Sequence, residues 1–242
     1  MFDAFPKKRP EVDKEKLQRL YENYEQNRLR KTAAARLSGL LEGWMHRKVA
    51  ADVKGREAKS TLEIGAGSLN HLKFETVTVY DIVEPWEKLW TNSIYLNHIR
   101  NKYDDICQIP RDIVYERIIS IATFEHLLNL PEIVAQCCLH LTANGCLRVA
   151  IPNEGSFVWT LCWRISTGLE YFLRTGEDYG LIMKYEHVNT ADEIENVLRF
   201  FFSDVKKSLF GISNQLSVYR FYECQMPQVE KAIDFLKASI KY

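Results

Sequence analysis

The chain has 242 residues, of which 46% are apolar, 26% charged and 12% aromatic, enough to bury a substantial core. This composition excludes a disordered, collagen-like or disulfide-scaffold protein. Basic and acidic residues number 32 each, so net charge does not indicate a nucleic acid or a membrane as the partner. Residues 1–60 nevertheless carry 15 basic and 9 acidic side chains, a local net charge of +6.

The sequence predicts a cytoplasmic, soluble protein. Its six cysteines form no CxxC pair and mostly lie in apolar runs, as free thiols do in a reducing compartment. The first ten residues, MFDAFPKKRP, lack the apolar stretch of a signal peptide. The richest apolar run, Phe157–Trp163, has seven residues and is too short to span a membrane.

Residues 1–59 are expected to form a helical segment that acts as a lid. Residues 11–54 contain no proline and are rich in Leu, Ala, Glu, Lys and Arg, which favours helix. This pattern predicts two helices, Val12–Arg30 and Thr32–Val53.

From Ser60 onward, short apolar runs alternate with helical stretches. The predicted strands are Thr61–Ile64, Val77–Val83, Arg117–Ile121, Cys146–Ile151 and Leu216–Cys224. The predicted helices are Pro131–Leu141, with proline in its first turn, and Ala191–Phe202, entered through the capping pair Asn189-Thr190. Such alternation predicts an α/β domain over residues 60–242, with a largely parallel sheet covered on both faces.

Residues 152–190 interrupt this alternation with a long aromatic stretch of mixed charge. They follow a predicted strand, and ligands of open α/β sheets bind at the carboxyl ends of strands. The stretch is therefore a candidate acceptor-binding insertion, with an additional helical hairpin as the alternative.

The sequence Thr-Leu-Glu-Ile-Gly-Ala-Gly-Ser at 61–68 predicts a strand that runs into a glycine turn. Gly65 and Gly67 allow a sharp turn and a close approach of the backbone to a ligand. Glu63 favours a cationic ligand over a phosphate. The third glycine of a dinucleotide fingerprint and the Gly-Lys-Ser/Thr of a P-loop are both missing, which argues against NAD(P) and nucleoside triphosphates.

Glu84 ends the apolar run Val77–Val83, 21 residues after Glu63. An acid at the end of the second strand of a doubly wound fold binds the two hydroxyls of a ribose. Asp81 is the competing candidate, and a merely solvated acid at the strand end is the other interpretation.

Three further motifs follow in order: DDICQIP (104–110), YERIISIATFEHL (115–127) and GCLRVAIPNEG (145–155). With the glycine turn and Glu84, they resemble the class I S-adenosylmethionine-dependent methyltransferases, closely over about residues 60–152. The resemblance implies a Rossmann-like doubly wound sheet of seven strands, mostly parallel with the last strand antiparallel. It also implies an N-terminal helical lid and an insertion after the fifth strand.

The resemblance implies a set of S-adenosylmethionine-binding residues. Glu63, Gly65, Ala66 and Gly67 would surround the amino-acid end of the cofactor, and Glu84 the ribose. Asp105 with Ile106 would meet the adenine, and Ala122 with Thr123 would line the cofactor after the fourth strand. The chain departs from the family in its first crossover: only residues 68–76 lie between the glycine turn and the second strand, where a full helix is usual.

Methyl transfer to a hydroxyl needs a base as well as positioning, and the product of the cofactor is S-adenosylhomocysteine. His126, after the fourth strand, and His187 with Glu186, at the end of the insertion, are the candidate catalytic residues. Glu154 is the alternative base, and a helix-capping role for His126 stays open. No metal is expected; a metal ion bound by Glu125, His126 and another carboxylate, as the resemblance implies for some members, is the less favoured alternative, because two adjacent ligands are a poor pattern for a metal site.

The acceptor is expected to be a small molecule with an anionic group or a carbohydrate, and most specifically a sugar or sugar nucleotide of surface-polysaccharide biosynthesis. The alternatives are an RNA or protein methyltransferase and a non-catalytic cofactor-binding protein. Nucleic acid is the less favoured substrate, because no Asn-Pro-Pro-Tyr-type motif follows the fourth strand. Oligomeric state is not predicted.

Overall fold

A computed structural model of the chain describes residues 2–13, 15, 18–19, 33–54, 59–76 and 78–239, with residues 33–40 as backbone only. The strands are β1 Thr61–Ile64, β2 Tyr80–Val83, β3 Lys102–Tyr103, β4 Tyr115–Ile121, β5 Leu141–Pro152, β6 Phe202–Gly211 and β7 Ser217–Pro227. The α-helices are α1 Ala33–Ala50, α2 Glu87–Trp90, α3 Leu130–Leu139, α4 Phe157–Trp163, α5 Leu169–Thr175, α6 Gly180–Glu186, α7 Ala191–Phe201 and α8 Val229–Ser239.

The seven strands form one sheet in the order β3-β2-β1-β4-β5-β7-β6. Neighbours from β3 to β5 are parallel, whereas β7 runs antiparallel to both β5 and β6. The predicted fold, a mostly parallel seven-stranded sheet with the last strand antiparallel, is therefore confirmed.

Alternate residues of β1 face opposite sides of the sheet, as the period of a strand requires, and hydrophobic cores lie on both sides. Leu62 and Ile64 lie in the larger core, which α3, α7 and α8 cover. Met45 and Val49 of α1 pack in the second core, on the opposite face of the sheet. The insertion has a small core of its own, formed around Tyr171, Tyr179, Ile182 and Met183.

A buried polar network fixes the end of α1 to the sheet. Arg117 and Arg148 donate hydrogen bonds to the Val49 carbonyl oxygen at 3.0 and 2.9 Å, at the carboxyl end of the helix where cations are favoured. The Glu75 carboxylate accepts from Arg117 at 2.8 Å and lies 3.3 Å from His71 Nε2. Burial alone would raise the pKa of Glu75, but the bonds from His71 and Arg117 lower it to about 2.

Several predicted elements have shifted bounds. The predicted helix Pro131–Leu141 ends at Leu139, because Leu141 already pairs with Tyr115 as the first residue of β5. β2 begins at Tyr80 instead of Val77. β3 and β6 were not predicted: β3 has two residues, and β6 is a half-exposed edge strand in which apolar and charged residues are mixed.

The N-terminal predictions have mixed outcomes. The second predicted helix, Thr32–Val53, corresponds to α1. Most of the first, Val12–Arg30, lies outside the described residues; Glu15, Gln18 and Arg19 are helical, whereas Val12 and Asp13 are not. Thr190 caps α7 as predicted, through a reciprocal capping box with Glu193.

Candidate active site

The glycine turn connects β1 to a short 3-10 turn at Asn70–Phe74, which replaces a full crossover helix. Gly65 and Gly67 have φ angles of +72° and +50°, in the left-handed region that favours glycine. A Cβ on Gly65 would lie 2.3 Å from the Thr123 side chain, whereas a Cβ on Gly67 would meet nothing within 4 Å. Space beside Gly67 is therefore open to a ligand.

The carboxylate of Glu84 closes this turn from the end of β2. Its two oxygens accept hydrogen bonds from the backbone N–H groups of Gly67 at 2.9 Å and Trp86 at 3.0 Å. A carboxylate offers about four lone-pair positions, so two backbone donors leave room for two further donors. Glu84 is thus held in place beside the open space at Gly67.

Asp81, the competing ribose candidate, has a structural environment. Its carboxylate accepts from Arg100 Nε at 2.9 Å and from the Tyr115 hydroxyl at 2.7 Å. Burial opposes ionisation, but these hydrogen bonds and that of Asn101 lower the pKa of Asp81 below its ordinary value. These partners occupy the Asp81 carboxylate, which leaves Glu84 as the better candidate for the ribose.

Glu63 lies in β1, two residues before the glycine turn. It is fully buried, and its carboxyl accepts a hydrogen bond from the Tyr80 hydroxyl at 2.9 Å. Burial raises the pKa of Glu63 to about 8, although the bond from Tyr80 works in the opposite direction. A role for Glu63 at the amino-acid end of the cofactor therefore stays a prediction.

The remaining predicted cofactor residues surround the same edge of the sheet. Asp105 caps a 3-10 turn by accepting from the Cys107 N–H at 2.7 Å, and Ile106 beneath it is fully buried. Ala122 has a φ of +50° directly after β4, and the Thr123 hydroxyl bonds to the Ile121 carbonyl at 3.1 Å. Ala66, inside the turn, is buried.

His126 and His187 are brought together, although 60 residues separate them in the chain. Their rings are in edge-to-face contact with centroids 4.9 Å apart. His126 Nδ1 lies 2.9 Å from the Glu186 carbonyl oxygen, and the Glu186 carboxylate is 3.7 Å from the same nitrogen. The three predicted catalytic residues therefore form one cluster.

Glu154, predicted only as an alternative base, is the partner of His187. The distance from His187 Nδ1 to Glu154 Oε2 is 2.8 Å, and the Trp159 indole donates to the same oxygen. Burial would lower the pKa of His187, but the bond to Glu154 and the charges of Glu125 and Glu186 raise it above its ordinary value. Each histidine thus has its Nδ1 hydrogen-bonded, so Nε2 carries the lone pair in the neutral ring.

Glu125 was considered from the sequence only as a possible metal ligand beside His126, and its grouping with His187 was not predicted. Glu125 is 1% exposed. One potential ligand atom from each of Glu125, His126 and His187 lies within 4.8 Å of the other two. Adjacency to His126 was the sole signal in the sequence, because His187 comes from the far end of the insertion.

A cavity of about 580 Å³ opens inside the insertion next to this cluster. Its walls include both members of the His187–Glu154 pair, the cationic side chains of Arg164 and Lys184, and several large apolar side chains. The lining residues are Glu154, Thr160, Trp163, Arg164, Gly168, Leu169, Phe172, Asp178, Gly180, Met183, Lys184 and His187. Within the part of the chain that the structure describes, no helix combines the length and apolar character needed to cross a membrane.

Comparison with models of protein families and with curated protein sequences gives no match. Solved structures do resemble the chain. The plantazolicin methyltransferase BpumL, in complex with a pentazolic desmethylplantazolicin analogue and SAH, has a TM-score of 0.56 at 16% identity, over 88% of this chain and 91% of that one.

Two more structures have comparable scores. The N-methyltransferase NodS of Bradyrhizobium japonicum WM9, in complex with S-adenosylhomocysteine, has a TM-score of 0.55 at 14% identity, covering 87% of this chain and 98% of that one. A methyltransferase of Thermotoga maritima, described as a possible histamine N-methyltransferase, has a TM-score of 0.51 at 14% identity, covering 79% and 97%. The chain has the fold of the S-adenosylmethionine-dependent methyltransferases.

Proposed function

We propose that the protein transfers the methyl group of S-adenosylmethionine to a small polar acceptor. The observation that carries this proposal is Glu84, held at the end of β2 by the N–H groups of Gly67 and Trp86 beside open space. An oriented carboxylate at this topological position suits the two hydroxyls of a ribose. The fold shared with structures that contain S-adenosylhomocysteine supports the same cofactor.

The other cofactor contacts follow from this placement of the ribose. The adenine would lie toward Asp105 and Ile106, where one carboxylate oxygen is engaged by Cys107 and the other is left to accept from the amino group. The methionine end would lie along the turn from Gly65 to Gly67 and against Ala122 and Thr123. The sulfonium methyl would then point toward the histidine cluster, which also follows β4.

The acceptor would occupy the cavity of the insertion. Arg164 and Lys184 on its wall favour an anionic group, and Trp163 and Phe172 offer ring faces and apolar surface. Glu154 and Asp178 add hydrogen-bond acceptors for hydroxyl groups. This combination supports a sugar or sugar nucleotide, and we propose O-methylation of such an acceptor, with surface-polysaccharide biosynthesis as the process in which it would serve.

His126, His187 and Glu186 would activate the acceptor at the inner end of this cavity. A neutral Nε2 can take a proton or hold a cation, and the Glu186 carboxylate, about a quarter exposed, can receive the proton released. In the reaction, the acceptor oxygen forms a bond to the methyl carbon while the carbon–sulfur bond breaks, and the electron pair stays on sulfur. The insertion and residues 1–59 would exclude water from this step.

Transfer of radiolabelled methyl groups from S-adenosylmethionine to a panel of acceptors tests the proposal. The panel contains sugar nucleotides, small amines including histamine, total RNA and a peptide library. We expect label in sugar nucleotides, and Glu84→Ala should reduce it. Label confined to amines would contradict O-methylation, and label confined to RNA or peptides would contradict the small-molecule acceptor.

A further inference from the structure

Glu125, His126 and His187 present a compact set of three potential metal ligands. One atom from each residue can be chosen such that all three lie within 4.8 Å of one another. The distance from His126 Nε2 to Glu125 Oε1 is 3.8 Å. Ligand bond lengths of ~2.0–2.2 Å in a tetrahedral site place neighbouring ligand atoms about 3.3 Å apart, so shifts below about 1.5 Å would close the set on an ion.

The Glu125 carboxylate has an unsatisfied atom. Its side chain is 1% exposed, and among the described residues its Oε2 has no hydrogen-bond partner. A buried carboxylate oxygen without a partner is costly, and a bound cation would remove that cost. The Val188 and Asn189 N–H groups both donate to the Glu125 carbonyl oxygen, at 2.9 and 3.1 Å. These hydrogen bonds hold the segment that carries His187 against Glu125 and His126.

Both histidines have the outer hydrogen bonds that metal-bound imidazoles make. A ligating histidine usually donates its other ring N–H to a backbone carbonyl or a carboxylate, which fixes the tautomer and the ring orientation. Here His126 Nδ1 contacts the Glu186 carbonyl at 2.9 Å and His187 Nδ1 the Glu154 carboxylate at 2.8 Å. The Nε2 atoms of both rings are therefore prepared for a shared ligand.

We propose that Glu125, His126 and His187 bind one divalent transition-metal ion. Two imidazoles among three ligands suit zinc, cobalt, iron or manganese better than the oxygen-preferring magnesium and calcium. Three protein ligands leave coordination positions open, as catalytic metal sites do. Because His187 also lines the cavity, an oxygen of the acceptor can take an open position, and only this second role rests on the proposed methyl transfer.

Titration of the metal-stripped, full-length protein with Co²⁺ tests the site, with visible absorption and elemental analysis as readouts. We expect one equivalent per chain with a ligand-field spectrum. Glu125→Gln, which keeps the shape of the buried side chain, and His126→Asn should each weaken binding at least 100-fold. Glu154→Gln should weaken it 10–100-fold through the orientation of His187. His98→Ala is the control, because His98 is exposed and is not one of the three proposed ligands. This variant should bind Co²⁺ with wild-type affinity.

S-adenosylhomocysteine binding and far-ultraviolet circular dichroism are measured on the same variants. Unchanged cofactor affinity in Glu125→Gln and His126→Asn shows that these proteins are folded and that lost Co²⁺ binding is local. Absence of Co²⁺ binding by the wild type would overturn the metal site. Wild-type affinity for Co²⁺ in both ligand variants would overturn it as well. Co²⁺ binding without any affinity for S-adenosylhomocysteine would instead refute the proposed function and leave the metal site standing.

Discussion

At the scale of single residues, Glu63 and Glu84 show how strand geometry separates two acids near one glycine turn. Glu63 precedes the turn in the sequence and Glu84 follows it, and both were predicted to contact the cofactor. Glu63 lies between Leu62 and Ile64 in β1, and the alternation of the strand directs it to the opposite face, toward Tyr80. Glu84 lies just beyond β2, where no alternation constrains it, and reaches the Gly67 N–H.

Glu63→Gln should stabilise the protein at alkaline pH. Burial raises the pKa of Glu63 from 4.5 to about 8, so the folded protein keeps a proton that the unfolded chain releases across this range. Wild-type stability should therefore fall as pH rises from 4.5 to 8, by roughly 3–5 kcal/mol from this group alone. Urea denaturation at pH 5 and pH 8.5 measures the free energy of unfolding of both proteins. The variant should have the higher free energy of unfolding at pH 8.5, and this advantage should be lost at pH 5. An advantage independent of pH would contradict the burial of a titrating carboxyl.

At the scale of elements, the sequence predicted those helices and strands whose apolar pattern is complete. β1 has the predicted bounds, and the cap of α7 at Thr190 is the predicted one. β6 was not predicted because polar and charged residues interrupt its apolar ones, and its strand structure depends on pairing with β7. The buried network at the end of α1 was also invisible, because Glu75, Arg117 and Arg148 look like ordinary surface residues in the sequence.

Glu75→Ala should destabilise the protein by about 3 kcal/mol, because it removes the closest carboxylate from the buried Arg117 and leaves only Asp52, 3.1 Å from Arg117 Nε. Asp204→Ala is the matched control. Asp204 pairs with Lys206 at 3.7 Å on the surface, where an ion pair contributes about 0–1 kcal/mol. Urea denaturation at pH 7 measures both variants, and equal losses of stability would contradict the network as an anchor of α1.

At the scale of the whole molecule, residues distant in the chain form the site. His126 follows β4, and His187 lies near the end of the insertion. The N-terminal residues also reach this cluster: the Arg9 guanidinium lies 4.9 Å from the Tyr185 ring centroid and 3.7 Å from the Glu186 carboxylate. The order of motifs along the chain predicted the sheet and its ligand-binding edge. It did not predict the grouping of Glu125 with both histidines, because the path of the insertion sets that distance.

Removal of residues 1–9 should affect stability and turnover through different contacts. Phe2 packs against Phe200, with centroids 5.1 Å apart, and Phe5 also contacts the larger core, so the deletion should cost roughly 2–4 kcal/mol. Loss of Arg9 should lower turnover by freeing Glu186. Phe2→Ala should reproduce the loss of stability and Arg9→Ala the loss of turnover, as measured by urea denaturation and methyl transfer. A fully active deletion variant would reduce this segment to a structural role.

Calorimetric titration with S-adenosylhomocysteine tests cofactor binding most directly. The wild type should bind one equivalent. Glu84→Ala should weaken binding about 10–100-fold through the loss of charge-assisted hydrogen bonds, and Gly67→Ala at least tenfold, because the new Cβ occupies open space beside Glu84. Gly176→Ala has the same backbone strain, at a φ of +72° with no atom within 4 Å, and should bind with wild-type affinity. Absence of binding, or one affinity shared by all four proteins, would contradict a cofactor site at this turn.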